Sequence, residues 1–263
     1  MRTSVLGCPI DILTMDEAVG LARLAMHNRH RIRHVALNVA KLVNMRRDPV
    51  LAADVVGSDL ITMDGIGIIW AARLFKLPAK ERVTGIDLFT RLLAVCAEDG
   101  LKPYFLGATS FVLQQTAERV SERHPSIRFA GMRDGYFTAE QENDVVDEIA
   151  QSGADCLFIG MPTPQKERFL AAHRERLNTP FIMGVGGSFD VLSGHVQRAP
   201  ARWQTLGCEW LYRVYQEPRR MWWRYAKTNT LFLGILAQAI VNATLQAPKF
   251  RAAVRSGLTD TEH

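Results

Sequence analysis

One carboxylate stands out by its setting. Asp64 follows a short strand, Asp59-Leu60-Ile61-Thr62, and precedes a turn at Gly65 and Gly67. A carboxylate there can take a proton from a hydroxyl held within hydrogen-bond reach. It can equally cap a following helix, and spacing leaves both readings open. Other strands also close on polar or glycine-rich groups: Asn38, Gly107-Ala108-Thr109-Ser110, Gly160-Met161-Pro162-Thr163-Pro164-Gln165 and Gly184-Val185-Gly186-Gly187-Ser188-Phe189-Asp190. Gly107–Ser110 and Gly160–Gln165 lead straight into helices, whose free N–H groups and partial positive charge suit phosphate. Gly184–Gly187 matches neither G-x-G-x-x-G nor a Walker A loop, and no clear helix is predicted after it. It reads at least as well as a tight turn, which counts against a nicotinamide cofactor.

There is no Asp-x-Asp motif in the chain. Transferases that hold a nucleotide diphosphate through a divalent metal commonly carry one. Its absence points to arginines and helix ends as the neutralising charges. The seven histidines show no metal spacing, and His27 and His30, beside Arg29 and Arg31, read as solvated. Cys8, Cys96, Cys156 and Cys208 form no C-x-x-C pair and have no histidine at zinc-ligand spacing. They read as small buried hydrophobes in a reducing compartment. No cofactor and no metal are expected.

The elements that must position these groups alternate along the chain. Met1–Cys8 reads as a first strand, its apolar run too short for a signal peptide. Thr14-Met15-Asp16-Glu17 is a capping box opening a helix with Ala18, Leu21, Ala22 and Ala25 on one side. Arg33–Asn38 is a strand, and Asp48-Pro49 fits an N-cap and first helical position. A helix is predicted over Leu88–Glu98, stopped by Asp99-Gly100, then a strand over Lys102–Gly107. Ser110 caps a helix to about Arg123, and Ile127–Ala130 is a strand. Thr138–Gln141 opens a helix to about Gln151. Cys156–Gly160 is a strand, Gln165–Leu177 a helix and Phe181–Gly184 a strand. Strands apolar on both faces, joined by short connections to helices, imply a parallel sheet covered on both sides. The fold class is α/β, a Rossmann-like parallel-sheet sandwich over residues 1–195, with a helical, basic C-terminal appendage over 196–263.

Composition is that of a globular protein: 263 residues, 48% apolar, 22% charged and net charge +5. Disorder, collagen and coiled coil are excluded. The charge is unevenly spread, because residues 198–255 carry +8 and the remainder −3. Thr228–Pro248 holds no charged residue but is interrupted by Asn229, Gln238, Asn242, Thr244 and Gln246. That is too polar for a convincing spanning helix. A helix lying on an anionic leaflet fits better, with packing on the body or on another subunit as the alternative. Trp203, Trp210, Trp222 and Trp223 fit either core packing or, beside Arg219, Arg220 and Arg224, an interfacial anchor.

Taken in order, these pieces resemble the WecG/TagA/CpsF glycosyltransferases, family 26, over nearly the whole chain. The matching stretches are Asn38–Val43, Met63–Gly67, Glu81–Leu88, Phe105–Gly107, Asp134–Phe137, Pro164–Glu167, Gly184–Asp190, Arg198–Pro200, Glu209–Arg213 and Glu217–Arg220. The resemblance implies inverting transfer of a sugar from a UDP-sugar to a polyprenyl-diphosphate-linked acceptor on the inner leaflet, typically forming a β-1,4 linkage. It implies N-acetylmannosamine, its uronic acid, glucose or glucuronic acid as the sugar. The product would be a precursor of exopolysaccharide or another cell-envelope polysaccharide. Asp64 matches the general base, and Arg82 an arginine that contacts substrate phosphate or sugar. Arg213, Arg219 and Arg220 match arginines that close over the nucleotide diphosphate. Asn38, Gly107, Gln165, Lys166, Glu167, Gly186, Gly187 and Arg198 are the remaining substrate-binding candidates.

Two departures are visible. Ala36-Leu37-Asn38 stands where some members have Thr-Pro-Asn, so a hydroxyl is missing. Pro164-Gln165-Lys166-Glu167 stands where the family has Pro-Lys-Gln-Glu, so Lys166 occupies the glutamine's place. The implied location is cytoplasmic, on the inner face of the membrane, with homo-oligomerisation left open. A nucleic-acid binder using the basic tail is the alternative, but an uncharged apolar stretch among those charges suits lipid better. A nicotinamide-dependent oxidoreductase rests on fold analogy alone.

Overall fold

The computed structural model describes residues 2–257, with the side chains of 220 and 246–257 outside the description. A hairpin opens the chain, β1 (Arg2–Val5) and β2 (Cys8–Asp11), forming its own two-stranded antiparallel sheet. The predicted first strand is therefore two. There follow α1 (Met15–His27), β3 (Ile32–Leu37), α2 (Val39–Met45), α3 (Pro49–Val56), β4 (Leu60–Met63), α4 (Ile66–Leu74) and α5 (Gly85–Asp99). Next come β5 (Pro103–Gly107), α6 (Ser110–Arg123), β6 (Gly131–Arg133), α7 (Glu142–Gln151), β7 (Cys156–Gly160), α8 (Gln165–His173), β8 (Phe181–Gly184) and α9 (Ser188–Leu192). Three helices close the chain: α10 (Ala201–Thr205), α11 (Glu209–Gln216) and α12 (Pro218–Gly257).

Six strands form one parallel sheet in the order β4-β3-β8-β7-β5-β6. Its central strands are apolar on both faces because helices cover both. On one face Phe89, Phe105, Phe158 and Phe189 pack ring against ring with Leu88, Leu92 and Val120. Behind the other end, Leu37, Leu42, Val55, Ile61 and Ile68 form a second core. This is the Rossmann-like α/β architecture expected, and the Thr14–Glu17 capping box is present.

Several boundaries move. The strand predicted at Ile127–Ala130 pairs instead at Gly131–Arg133. The apolar residues of 127–130 are spent on packing, Phe129 standing edge-on to Phe105 at 5.0 Å between ring centres. Thr109, not Ser110, caps α6, its side chain accepting from Val112 N–H, while Ser110 Oγ donates to Asp134 at 2.9 Å. The helix predicted from Thr138 starts at Glu142, because residues 139–141 form a turn held by Gln141 Oε1 on Thr138 N–H. α8 ends at His173 rather than Leu177. A short helix, α9, does follow Gly184–Gly187, and a helix, α4, follows the turn at Gly65.

α12 lies across α2 by one face, burying Thr228 and Phe232, with Leu231, Ile235 and Leu236 partly covered. Its other face is open. Trp222 is 64% and Trp223 72% exposed, which rules out the core reading for both. Trp210 and Trp203 are partly exposed and lean on Tyr225 and Tyr212. Cys8, Cys96 and Cys156 are buried free thiols, whereas Cys208 is only half-buried.

Candidate active site

All six strands run in one direction, so their carboxyl ends share one edge of the sheet. Register sets them level, with Leu37 opposite Met63, Gly107 opposite Gly160 and Ile159 opposite Gly184. β3 lies between β4, which follows it in the chain, and β8, the last strand of the sheet. The chain thus leaves β3 on one flank and returns on the other. Ligand crevices in open α/β sheets form beyond such a reversal.

Asp64 sits at this edge, half-buried, its N–H bonded to Leu37 O at 2.8 Å. It does not cap the helix beside it. The N-cap of α4 is Gly65, with no side-chain bond. The Asp64 carboxylate instead lies beside Gly85, the first residue of α5, whose N–H favours its charge. Burial pushes its pKa up from 3.8 to about 6, with Glu209 adding to the rise and Arg82, the Gly85 N–H and Arg213 opposing it. A carboxylate with that value is ionised at neutral pH yet basic enough to accept a proton.

Around Asp64 the body and the appendage interlock through charge. Arg82 donates to Glu209 Oε1 at 2.9 Å and to Gln204 O at 3.0 Å. Arg198 grips Asp87 through both terminal nitrogens, at 2.7 and 2.8 Å, and lies 4.0 Å from Glu209. Burial works against the Asp87 charge, but donation from Arg198 and Thr84 holds its pKa below the usual carboxylate range. Arg213, exposed on α11, is close enough to favour the Asp64 charge. Arg219 is exposed at the first turn of α12, and the side chain of Arg220 lies outside the described residues.

The other candidates divide by where they point. Asn38 caps α2, its Oδ1 accepting from Lys41 N–H at 2.9 Å, and its Cβ lies 3.8 Å from where a Cβ on Gly65 would be. Gln165 faces a cavity of about 400 Å³ shared with Phe137, Met161, Pro164, Arg168 and Phe169. Lys166 and Glu167 turn inward and are buried, with Lys166 Nζ bonded to Glu167 Oε1. Gly107 is packed against the backbone of Gly160, while Gly186 and Gly187 make the turn into α9. Three charged groups at the site were not singled out from sequence: Lys41, Asp87 and Glu209. Asp87 was findable as the third residue after the Thr84 cap. Among the described residues, no group of three or more His, Cys, Asp or Glu could hold a metal ion.

Residues 3–246 match the Glycosyl transferase WecG/TagA/CpsF family. The chain belongs to this family. It is 38% identical over 181 residues to the N-acetylglucosaminyldiphosphoundecaprenol N-acetyl-beta-D-mannosaminyltransferase of Bacillus spizizenii (strain ATCC 23059 / NRRL B-14472 / W23). That alignment spans 69% of this chain and 67% of the relative. The chain is therefore a glycosyltransferase, and the crevice around Asp64 is its candidate site of transfer.

Proposed function

We propose that the protein transfers an N-acetylmannosamine-type sugar, with inversion, from a UDP-sugar to a sugar on a polyprenyl diphosphate, forming a β-1,4 linkage for a cell-envelope polysaccharide. The observation that carries the reading is the setting of Asp64: one carboxylate with its pKa raised to about 6, at the sheet's carboxyl edge, ringed by Arg82, Arg198 and Arg213. The relative's own acceptor, a sugar on diphosphoundecaprenol, supports the acceptor class.

Direct displacement needs one base. The acceptor hydroxyl gives its proton to the Asp64 carboxylate as its oxygen bonds to the anomeric carbon. The bond from that carbon to the β-phosphate oxygen breaks, and UDP leaves with the electron pair. Its new negative charge falls to guanidinium groups and helix N-termini, a role in which arginine can serve without a metal. Arg82 and Arg198 are already ion-paired, so the nucleotide would replace Glu209 and Asp87 as their partner.

The acceptor's lipid would place the enzyme at the inner leaflet. Met221–Leu245 is long and apolar enough to cross a membrane by length and composition, with mean hydropathy 1.3. Its packing on α2 along one face and its exposed Trp222, Trp223, Leu233 and Leu245 on another favour a helix lying at the surface.

The test is UDP release from UDP-N-acetylmannosamine with a lipid-linked N-acetylglucosamine acceptor, followed across pH in the presence of a chelator. The rate is expected to rise through a single acid limb near pH 6 and to fall by about 10³-fold or more in Asp64→Asn. Full activity in Asp64→Asn would remove Asp64 as the base. Absence of UDP release with every plausible donor and acceptor would overturn the reading as a whole.

A further inference from the structure

Beneath the crevice, two lysines share one carboxylate. Lys166 Nζ bonds to Glu167 Oε1, Thr163 Oγ1 donates to the same oxygen at 3.2 Å, and Lys41 Nζ lies 3.9 Å from it. Lys41 comes from α2 and Lys166 from α8, and the two side chains are 15% and 7% exposed. Glu167 is fully buried, and burial alone would raise its pKa. The lysines more than offset that and hold it below the usual range.

The neighbouring charges do not balance the second lysine. Asp54 is committed to Arg33 at 2.7 Å. His34, bonded to Thr62 at 2.8 Å, is kept neutral by burial. Asp64 reaches Lys41 electrostatically but also answers to Arg82 and to the N-terminus of α5. With both lysines charged, two ammonium groups and one carboxylate leave an excess positive charge in a mostly dry place, relieved either by loss of a proton from Lys41 or by an anion that completes the site. Burial and the facing Lys166 pull the Lys41 pKa down to about 7, the mark of that imbalance. The backbone makes room for the arrangement. A Cβ on Gly184, at the end of β8, would sit 2.9 Å from both Cδ and Cε of Lys166. The lysine lies across that glycine at the carboxyl edge of the sheet, beside Asp64's crevice.

We propose that Lys41 and Lys166 together seat an anionic group of the sugar nucleotide, either a phosphate or a carboxylate on the sugar. The inference rests on the reading of the protein as a sugar-nucleotide enzyme. It adds a second anion site to the arginine cluster, one built from the body of the fold rather than from the appendage. It also assigns a use to Lys166, which the sequence offers only as a general substrate-binding candidate.

The experiment is calorimetric titration of the full chain with UDP, UDP-N-acetylmannosamine and UDP-N-acetylmannosaminuronic acid. The proteins are the wild type, Lys41→Gln, Lys166→Gln and Lys166→Arg, each first checked by circular dichroism. Loss of about tenfold or more in affinity for UDP itself in both Gln variants assigns the seat to a phosphate. The same loss confined to the uronic acid donor assigns it to the sugar carboxylate. Lys166→Arg, which keeps the charge, is expected to retain most of the affinity. Amine-reactive labelling of the wild type, read by mass spectrometry, needs no variant: saturating ligand is expected to suppress modification of Lys41 several-fold. Unchanged affinities, or unchanged labelling where the Gln variants do not fold, overturn the proposal. Failure of the wild type to bind any of the three overturns instead the reading on which it rests.

Discussion

Asp64 carries its charge at a cost in stability. Its pKa is raised from 3.8 to about 6 by burial, so the folded chain holds this proton more tightly than the unfolded chain does. Protonation therefore favours folding. The destabilisation is absent below the unfolded value, grows as pH rises from about 4 to about 6, and is constant above that. Asp64→Asn removes the charge while keeping the shape. It is expected to be more stable than the wild type at pH 8, by up to about 3 kcal/mol, with the gap closing toward pH 4. Denaturant unfolding at both pH values checks this. An equal gap at the two would mean that packing, and not charge, sets it. At this scale the sequence was informative about Asp64 but ambiguous between base and cap. The ambiguity had a physical basis, since the carboxylate does lie at a helix N-terminus, that of α5 rather than of the adjacent α4.

At the scale of elements, the strands that carry the site were legible because their apolar runs end on polar or glycine residues. β3, β4, β5, β7 and β8 all lie where periodicity and composition put them. What failed was local. Phe129 packs against Phe105 instead of extending a strand, and Thr109 takes the cap one residue early, leaving Ser110 for Asp134. Such choices depend on tertiary partners that no short window contains. Lys41 escaped for the same reason: its significance comes from Lys166, 125 positions away in the chain and adjacent only once β3, β7 and β8 are neighbours. Gly107 shows the converse, a residue whose type is dictated by an element contact. It has φ +117°, and a Cβ there would stand 2.6 Å from the Gly160 carbonyl carbon. Backbone strain and overpacking together make Gly107→Ala destabilising by about 2–5 kcal/mol. A thermal melt reads it directly, and an unchanged midpoint would contradict the close approach of β5 and β7.

For the whole molecule, the distribution of charge and apolar surface matters more than its sum. The body is near −3, and the segment 198–255 near +8 presents Trp222 and Trp223 to the outside. Aromatic rings beside arginines suit the boundary between headgroups and acyl chains. The double variant Trp222→Ala, Trp223→Ala is expected to lose most binding to anionic vesicles in a sedimentation assay. It should keep its fold and its UDP affinity, because neither ring is buried. Undiminished vesicle binding would assign the exposed face to something other than lipid. Substitution is a better probe here than truncation, for a reason that lies in the Arg82 contacts. One guanidinium from the body is satisfied by a carbonyl and a carboxylate of the appendage, Gln204 and Glu209, and Arg198 lends its own charge back to Asp87 of the body. The two parts are each other's counter-ions. Cutting the chain after the sheet would strand Arg82 without Glu209 and Asp87 without Arg198, and so would change the charge around Asp64 before any lipid was involved. A shortened enzyme that failed would say little about the membrane, because the Asp64 carboxylate would no longer be the same acid.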